Sequence, residues 1–299
     1  MGHHHQHDLK EASGKNLKIA FFLNFGFTIL EIVGGLYVNS IAIISDAIHD
    51  LGDSLSLGIA WYLNKKSKKG ASEKFSFGYA RFSLLGAVIN SLVLILGSVF
   101  VINEAISRIL EPEASNAQGM ILFAIFGIAV NGYAAWKLSG GKSMNEKVVS
   151  LHLLEDVLGW VAVLIVGIVL LFKEINYLDP ALSLLITIYI LWNVIKRLKE
   201  SVYIFLQKKP EDINQQEIEA EIMKIENIDS LHHTHIWSLE GENHVFTTHV
   251  KLKNISDPNQ IIDIKKQLKE ILGKYPFQHY TIETELDKET CDMLDANSN

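Results

Sequence analysis

The chain has little cysteine, no excess of positive charge and no apolar stretch at its start. Its single cysteine, Cys291, excludes an intramolecular disulfide. The formal net charge of −7 argues against a nucleic-acid partner. The first ten residues, MGHHHQHDLK, lack the apolar core of a signal peptide, so we expect the first apolar run to direct membrane insertion by itself. Their histidines are either a natural metal-gathering tail or the remnant of a tag.

The apolar residues are gathered into blocks rather than spread evenly along the chain. Six runs are each close to the ~20 residues that cross a bilayer as a helix, and they cover residues 17–38, 41–63, 82–106, 120–137, 148–172 and 177–194. From about Lys208 onward the composition is typical of a soluble module. We therefore predict a polytopic α-helical membrane protein with six transmembrane helices over residues 16–207. A disordered His-rich tail (1–15) precedes them, and a soluble domain (208–288) and a C-terminal tail (289–299) follow.

Lysine and arginine are concentrated in alternate loops. They occur in NKKSKKGASEKFSFGYAR between the second and third runs, in KLSGGKSMNEK between the fourth and fifth, and in KRLKE after the sixth. Because basic loops stay on the cytoplasmic side, both termini are predicted to be cytoplasmic, as six spans require. We predict an integral protein of a bacterial inner (plasma) membrane, with a cytoplasmic C-terminal domain.

Acids and histidines lie inside two of the apolar runs. The second run carries four of them within about a 100° arc of one helix: Asp46, His49, Asp50 and Asp53. The fifth run carries three on one side: His152, Glu155 and Asp156. A carboxylate at mid-membrane costs roughly 2.5–3.5 kcal/mol, and these runs contain almost no basic residue apart from their ends. We therefore expect a bound cation to compensate the acids.

The motif His-x-x-x-Asp occurs twice, as His49 with Asp53 and as His152 with Asp156. Each pair projects from one helical face, so two packed helices supply two imidazole nitrogens and two carboxylate oxygens. Such a set suits tetrahedral zinc, whereas magnesium and calcium prefer more oxygen ligands. The two pairs therefore predict a zinc site.

Three further acids lie beside these pairs: Asp46, Asp50 and Glu155. They either hydrogen-bond the ligands or lie near a helix end without touching the metal. We predict that they support the site rather than bind the ion. A milder polar face in the first run is formed by Asn24, Thr28 and Glu31.

The soluble part has the pattern helix, strand, strand, helix, strand, which predicts a small α+β domain of αββαβ order. Its second helix is expected to begin with Asp257 as N-cap and Pro258 in the first turn. We expect His244 and His279 to be exposed at strand ends.

The first strand of this domain contains three histidines within four residues. Strand alternation predicts His233 and His235 on one face of the sheet and His232 on the other. Only one of those faces can serve a given metal site.

Four segments together resemble the cation diffusion facilitator family: SDAIHDLGD, HLLEDVLG, FGYARFSLLGA and HHTHIWSL. The resemblance implies a six-span exporter of divalent metals with a ferredoxin-like cytoplasmic domain, acting as a homodimer and exchanging metal for protons. It also implies that His49, Asp53, His152 and Asp156 form the transport site. A His-Asp/His-Asp set is similar to that of members that move zinc, often with cobalt or cadmium.

The resemblance also implies a regulatory zinc site in the cytoplasmic domain. The matching positions here are His232, His249, Glu283 and Glu285. Relatives often draw another ligand from the second helix, but residues 257–273 contain no histidine. We therefore expect this site to be weaker or differently built. Zinc is expected as substrate and regulatory ligand, and no catalytic cofactor is expected.

Proton coupling follows from the ligand types themselves. An imidazole has an ordinary pKa of about 6.5 and binds metal only when its nitrogen is free of a proton, so protons and metal compete for the same atoms. If the site opens alternately to each side, an inward proton gradient drives metal out of the cytoplasm.

Two other functions are compatible with parts of the sequence. An intramembrane zinc hydrolase also uses histidine and acid ligands, but the runs lack His-Glu-x-x-His, and four protein ligands leave no open position for water. A membrane metal receptor without transport activity would explain the soluble histidines. It gives no reason for an ion site at membrane depth.

Overall fold

The computed structural model describes residues 4–67, 71–139, 144–291 and 293. Contacts within the chain divide it into two units, one made of residues 1–69 and 85–198 and the other of residues 70–84 and 199–299. The short segment before the third long helix therefore belongs to the same unit as the C-terminal domain.

The first unit contains all or most of the long helices: α1 (His4–Val38), α2 (Ile41–Ser67), α3 (Phe82–Leu110), α4 (Ala117–Ser139), α5 (Met144–Phe172) and α6 (Leu178–Phe205). Each predicted run coincides with one of them. The structure has helix from His4 onward, where the sequence predicts a disordered tail over residues 1–15. The good helix formers Leu9, Glu11 and Ala12 extend the first span toward the N-terminus.

Among the residues that the structure describes, five of these helices are long and apolar enough to cross a membrane: α1, α3, α4, α5 and α6. The described part of α2 lacks that apolar character because Asp46, Asp50 and Asp53 lie along it. Its polar side is shielded by neighbours, since Asp46 and Asp50 are 9% and 6% exposed. α2 is thus the span whose stability depends on packing rather than on lipid.

Close packing of α4 against α5 centres on Trp160, which is buried with Val38, Met120 and Ala124. Gly127 on α4 faces the indole directly. A Cβ atom at this position would lie 2.3 Å from Trp160 Cδ2. The absence of a side chain at Gly127 is what allows the two helices to approach.

A carboxylate from α6 caps the first turn of α2. Asp179 is fully buried and accepts hydrogen bonds from Ser40 Oγ at 2.6 Å and from the Ile41 backbone N–H at 2.8 Å. The first N–H groups of a helix have no partner within the helix, and a negative charge there is also favoured by the helix dipole. Asp179 therefore joins the start of α6 to the start of α2.

The second unit contains α7 (Gln215–Ile222), β1 (Ile228–Ser238), β2 (His244–Leu252), α8 (Pro258–Leu272) and β3 (Phe277–Glu285), which confirms the αββαβ order. Strand β2 is central, antiparallel to β1 and parallel to β3. The helices bury Ile218 and Leu268 against Phe246 of the sheet. Asp257 caps α8 as predicted, accepting a hydrogen bond from the Asn259 N–H.

A β-bulge interrupts the side-chain alternation of β1. His232 pairs with His249 and His235 pairs with Thr247, so β1 contains one residue more than β2 between these points. His233 adopts a left-handed conformation with φ of 50°. Its ring lies 5.3 Å from those of both His232 and His249, so the predicted separation of His233 from His232 is wrong. The extra residue of the bulge is the cause.

The two strand-end histidines differ from each other. His244 is fully buried, with Nε2 3.3 Å from Asp212 Oδ2, so the expectation that it is exposed is wrong. It begins the central strand, and Asp212 precedes α7. His279 is exposed as expected, and its ring lies 5.6 Å from that of Phe77.

Candidate metal centres

Helices α2 and α5 bring the two His-x-x-x-Asp pairs together. Asp53 Oδ2 lies 2.6 Å from His152 Nε2 and 3.7 Å from His49 Nε2. Ligand atoms of these three residues all lie within 4.8 Å of one another. One carboxylate oxygen thus lies between two imidazoles from different helices, and the three side chains are close enough together to share one small divalent cation.

The fourth predicted ligand, Asp156, lies at the edge of this group. Its Oδ2 is 3.9 Å from His152 Nε2, and its side chain is 10% exposed. It lies outside the three-residue cluster but lines the same cavity. The three closer atoms and Asp156 together provide the two nitrogens and two oxygens expected for zinc.

The ligands open onto a cavity of about 340 Å³ between the helices. A water molecule occupies about 30 Å³ in the liquid, so the cavity has room for an ion with several waters. Acids and histidines on its wall are Asp46, His49, Asp53, His152, Glu155 and Asp156. The predicted ligands therefore line a space that is large enough for an ion.

The three acids that were predicted to support the site occupy different environments. Asp46 is buried and lines the cavity, whereas Asp50 is buried outside the lining, with its backbone carbonyl accepting a hydrogen bond from Asn24 Nδ2 at 3.1 Å. Glu155 is exposed and lines the cavity. Asn24 therefore joins α1 to α2 at the residue that follows His49.

Two charged residues near the site were not predicted from the sequence to belong to it. Arg197 lines the cavity, although it lies beyond the apolar run and was counted with the basic residues that follow the sixth span. Glu31 on α1 is 1% exposed, which is far more burial than its mild polar face indicated. Polar residues three or four positions apart, Thr28 and Glu31 on α1 and Asn193 and Arg197 on α6, are the signal that could have found them.

The αββαβ domain holds a second cluster of potential metal ligands. Glu285 Oε1 lies 3.1 Å from His232 Nε2 and 2.8 Å from His249 Nδ1. Cys291 Sγ lies 3.7 Å from the same His249 nitrogen. One ligand atom from each of these four residues lies within 4.8 Å of the other three. The β1–β2 register sets His232 opposite His249, which explains why the imidazoles meet.

Glu283 lies apart from the cluster formed by His232, His249 and Glu285. Its Oε2 lies 3.5 Å from His249 Nε2, on the opposite edge of the ring from Glu285, and its side chain is 63% exposed. Cys291 was not predicted, because it lies in the segment assigned to the C-terminal tail and no periodic pattern connects it to the sheet.

The charge state of Glu285 suits a cation. Burial raises the pKa of this carboxyl, but hydrogen bonds from His249 and His232 outweigh burial and hold the pKa below its usual value. Glu285 is therefore ionised at neutral pH.

Residues 17–206 match the model of the cation efflux transmembrane domain, and residues 210–286 match that of the cation efflux protein, cytoplasmic domain. The chain belongs to the cation efflux, or cation diffusion facilitator, family. This match includes α2 within the transmembrane domain and confirms the predicted fold class.

Bacterial relatives within the cation efflux family align along nearly their whole length. The chain is 35% identical to the cadmium, cobalt and zinc/H(+)-K(+) antiporter of Bacillus velezensis, over 95% of this chain and 92% of the relative. It is 34% identical to the metal cation efflux system protein CzcD of Cupriavidus metallidurans, covering 99% and 93%. It is 31% identical to the zinc transporter ZitB of Pectobacterium atrosepticum, covering 98% and 91%.

Membership of the cation efflux family establishes the general function. The protein is an integral membrane protein of metal cation efflux, and the family consists of transporters rather than enzymes, so the hydrolase alternative is set aside. Its C-terminal part is of the type that forms homodimers in this family, which supports a homodimer here.

Proposed function

We propose that the protein exports Zn²⁺ from the cytoplasm in exchange for protons, and that Cd²⁺ or Co²⁺ can take the same path. The observation that carries the proposal is the Asp53–His152 contact at the centre of the two-histidine, two-aspartate group. The ions named for the bacterial relatives, zinc, cadmium and cobalt, are consistent with this ligand set.

The 2.6 Å separation between Asp53 Oδ2 and His152 Nε2 supports proton coupling. Two such atoms approach this closely only with a proton between them, whichever atom carries it. An ion that binds both atoms must displace that proton. Metal loading and proton release are then one event, and reprotonation from the other side of the membrane releases the metal.

Alternating access supplies the remaining step of the cycle. The ligands come from two different helices, α2 and α5, so a change in the packing of these helices alters the access to the site without dismantling either pair. Both termini lie in the cytoplasm in this scheme, in keeping with the basic loops. The membrane is the bacterial inner membrane.

The cytoplasmic domain acts as the regulator in this proposal. Its cluster of His232, His249 and Glu285, with Glu283 at the far edge of the His249 ring, binds Zn²⁺ when the cytoplasmic level rises. A ligand shifts a conformational equilibrium toward the state that it binds better. Metal bound here therefore favours the form of the homodimer that transports.

Metal flux in proteoliposomes tests the transport proposal. Purified protein is reconstituted, a pH gradient is imposed, and Zn²⁺ movement is followed with an internal fluorescent indicator. Zinc is expected to move against the direction of the proton gradient, and a protonophore is expected to stop it. Zinc flux that is the same with and without a pH gradient would contradict the exchange mechanism. A chain that binds zinc but shows no flux would favour the receptor alternative.

A further inference from the structure

The chain's one cysteine lies beside the cytoplasmic histidine cluster. Cys291 Sγ is 3.7 Å from His249 Nδ1, and it belongs with His232 and Glu285 to a group of four potential ligand atoms within 4.8 Å of one another. We propose that Cys291 is a thiolate ligand that completes a four-coordinate zinc site and fixes the C-terminal segment to the sheet when metal binds. This inference rests on the regulatory site in the proposed function and deepens it.

The distances match tetrahedral coordination without a large movement. Zinc binds sulfur at about 2.3 Å and imidazole nitrogen at about 2.0–2.1 Å, which places the two ligand atoms about 3.6 Å apart in a tetrahedron. The observed Cys291–His249 distance is 3.7 Å. Glu285 Oε1 lies 2.8 Å and 3.1 Å from the two histidine nitrogens, compared with about 3.3 Å expected for nitrogen and oxygen on one zinc ion.

The orientation of His249 determines which residues can share one ion. Its Nδ1 faces Glu285 and Cys291, while its Nε2 faces Glu283 at 3.5 Å. One imidazole cannot present both nitrogens to the same ion. Glu283 is therefore placed to accept a hydrogen bond from the Nε2–H and hold the ring, as carboxylates commonly do for metal-bound histidines. The fourth position on the ion is left to the thiol.

Burial favours a complete ligand set at this position. The side chains of His249 and Glu285 are 12% and 8% exposed, so water has little access to the site from their side, while His232 is 26% exposed. A thiol that coordinates a metal gives up its proton and adds a negative charge that balances the ion. The thiolate also makes the site selective, because sulfur favours zinc and cadmium over magnesium and manganese.

Alkylation of the single thiol provides a direct test. The full-length protein in detergent is treated with iodoacetamide, with or without Zn²⁺ or Cd²⁺, and labelling is followed by intact mass. At a metal concentration of ten times the dissociation constant, alkylation is expected to slow by about tenfold. Magnesium and manganese at the same concentration are expected to leave the rate unchanged.

Absorption spectroscopy distinguishes a metal that is bonded to the Cys291 thiolate from a metal that only blocks access to the thiol. Cd²⁺ or Co²⁺ bound to a thiolate gives a ligand-to-metal charge-transfer band in the ultraviolet, and the transport site contains no sulfur that could contribute. The band is expected in the wild type and absent in Cys291→Ser. Slower alkylation without a charge-transfer band would overturn the proposal, because it would indicate that metal only covers the thiol.

Matched variants separate this inference from the transport proposal. His249→Ala is expected to abolish protection, whereas His279→Ala, an exposed histidine on β3 outside the cluster, is expected to retain it. A thiol alkylated at the metal-free rate in zinc-saturated protein, with zinc stoichiometry unchanged in Cys291→Ser, would refute the cysteine ligand and leave transport standing. Absence of zinc flux in the wild type would refute transport and leave the thiolate band intact.

Discussion

Asp53 on α2 and His152 on α5 meet at a distance of 2.6 Å between a carboxylate oxygen and an imidazole nitrogen. The two residues are 99 positions apart in the sequence. The second imidazole, from His49, approaches the same oxygen at 3.7 Å. This shared oxygen places Asp53 at the centre of the predicted transport site.

Removal of any one transport ligand is expected to abolish zinc flux while leaving a folded protein. The substitutions are His49→Ala, Asp53→Ala, His152→Ala and Asp156→Ala. Each substitution deletes one of the four predicted ligands. It also removes a polar group from the membrane interior, so the folded protein is not expected to lose stability. Flux in proteoliposomes and size-exclusion profiles in detergent are the measurements.

The matched control for these variants is Asn193→Ala, which alters the wall of the same cavity without removing a ligand. Its flux is expected to stay close to that of the wild type. Wild-type flux in any two of the four ligand variants would refute the assignment of the site.

Exchanging the nitrogen of His49 for a carboxylate is expected to change ion selectivity. In His49→Asp the site becomes richer in oxygen, which favours harder ions such as manganese. Competition of Mn²⁺ against Zn²⁺ flux in the variant and the wild type measures the shift. If the competition profiles of the two proteins coincide, His49 does not contact the ion.

Filling the contact between α4 and α5 is expected to destabilise the membrane unit. Gly127→Ala places a methyl group against the buried Trp160 ring, and overpacking of this kind typically costs about 1–3 kcal/mol. Gly26→Ala is the control, because a Cβ there meets nothing within 4 Å. Thermal unfolding in detergent should show a lower midpoint for Gly127→Ala alone. Equal midpoints in the two variants would be inconsistent with the packing described.

Loss of the cap on α2 is expected to lower stability and transport together. Asp179→Ala leaves the Ile41 N–H buried without its acceptor, a cost of about 1–3 kcal/mol. Asp179→Asn keeps one acceptor oxygen and should lose less. Glu174→Ala, an exposed acid in the preceding loop, serves as control. An Asp179→Ala protein with the unfolding midpoint of the control would show that the cap contributes nothing.

The double variant His232→Ala with His249→Ala is expected to raise the zinc concentration needed for half-maximal flux and to leave some transport. Both residues lie in the cytoplasmic-type domain, so the transport ligands are unchanged. The control pair is His235→Ala with His279→Ala, two exposed histidines of the same sheet. Superimposable flux curves for the wild type and the first pair would show that these histidines do not regulate transport.

The sequence predicted the features that a regular period encodes. His49 with Asp53, and His152 with Asp156, could be placed because residues four apart share a helical face. The αββαβ order and the Asp257 cap were likewise predicted from local sequence patterns.

The remaining features depend on contacts between distant parts of the chain. Cys291 and Asp179 act on partners 42 and 138 residues away, and no local pattern reveals such a contact. The bulge at His233 adds one residue to a strand, which reverses the face of every side chain that alternation assigns beyond it.

The cap of α2 also has a consequence for the order in which the protein is made. α2 is the helix least suited to lipid by composition, and the group that completes its first turn comes from the last membrane helix. While the ribosome is still producing the intervening spans, the start of α2 has no Asp179 to accept its N–H groups. The helix that carries half of the predicted metal ligands therefore reaches its final state only after α6 has been synthesised.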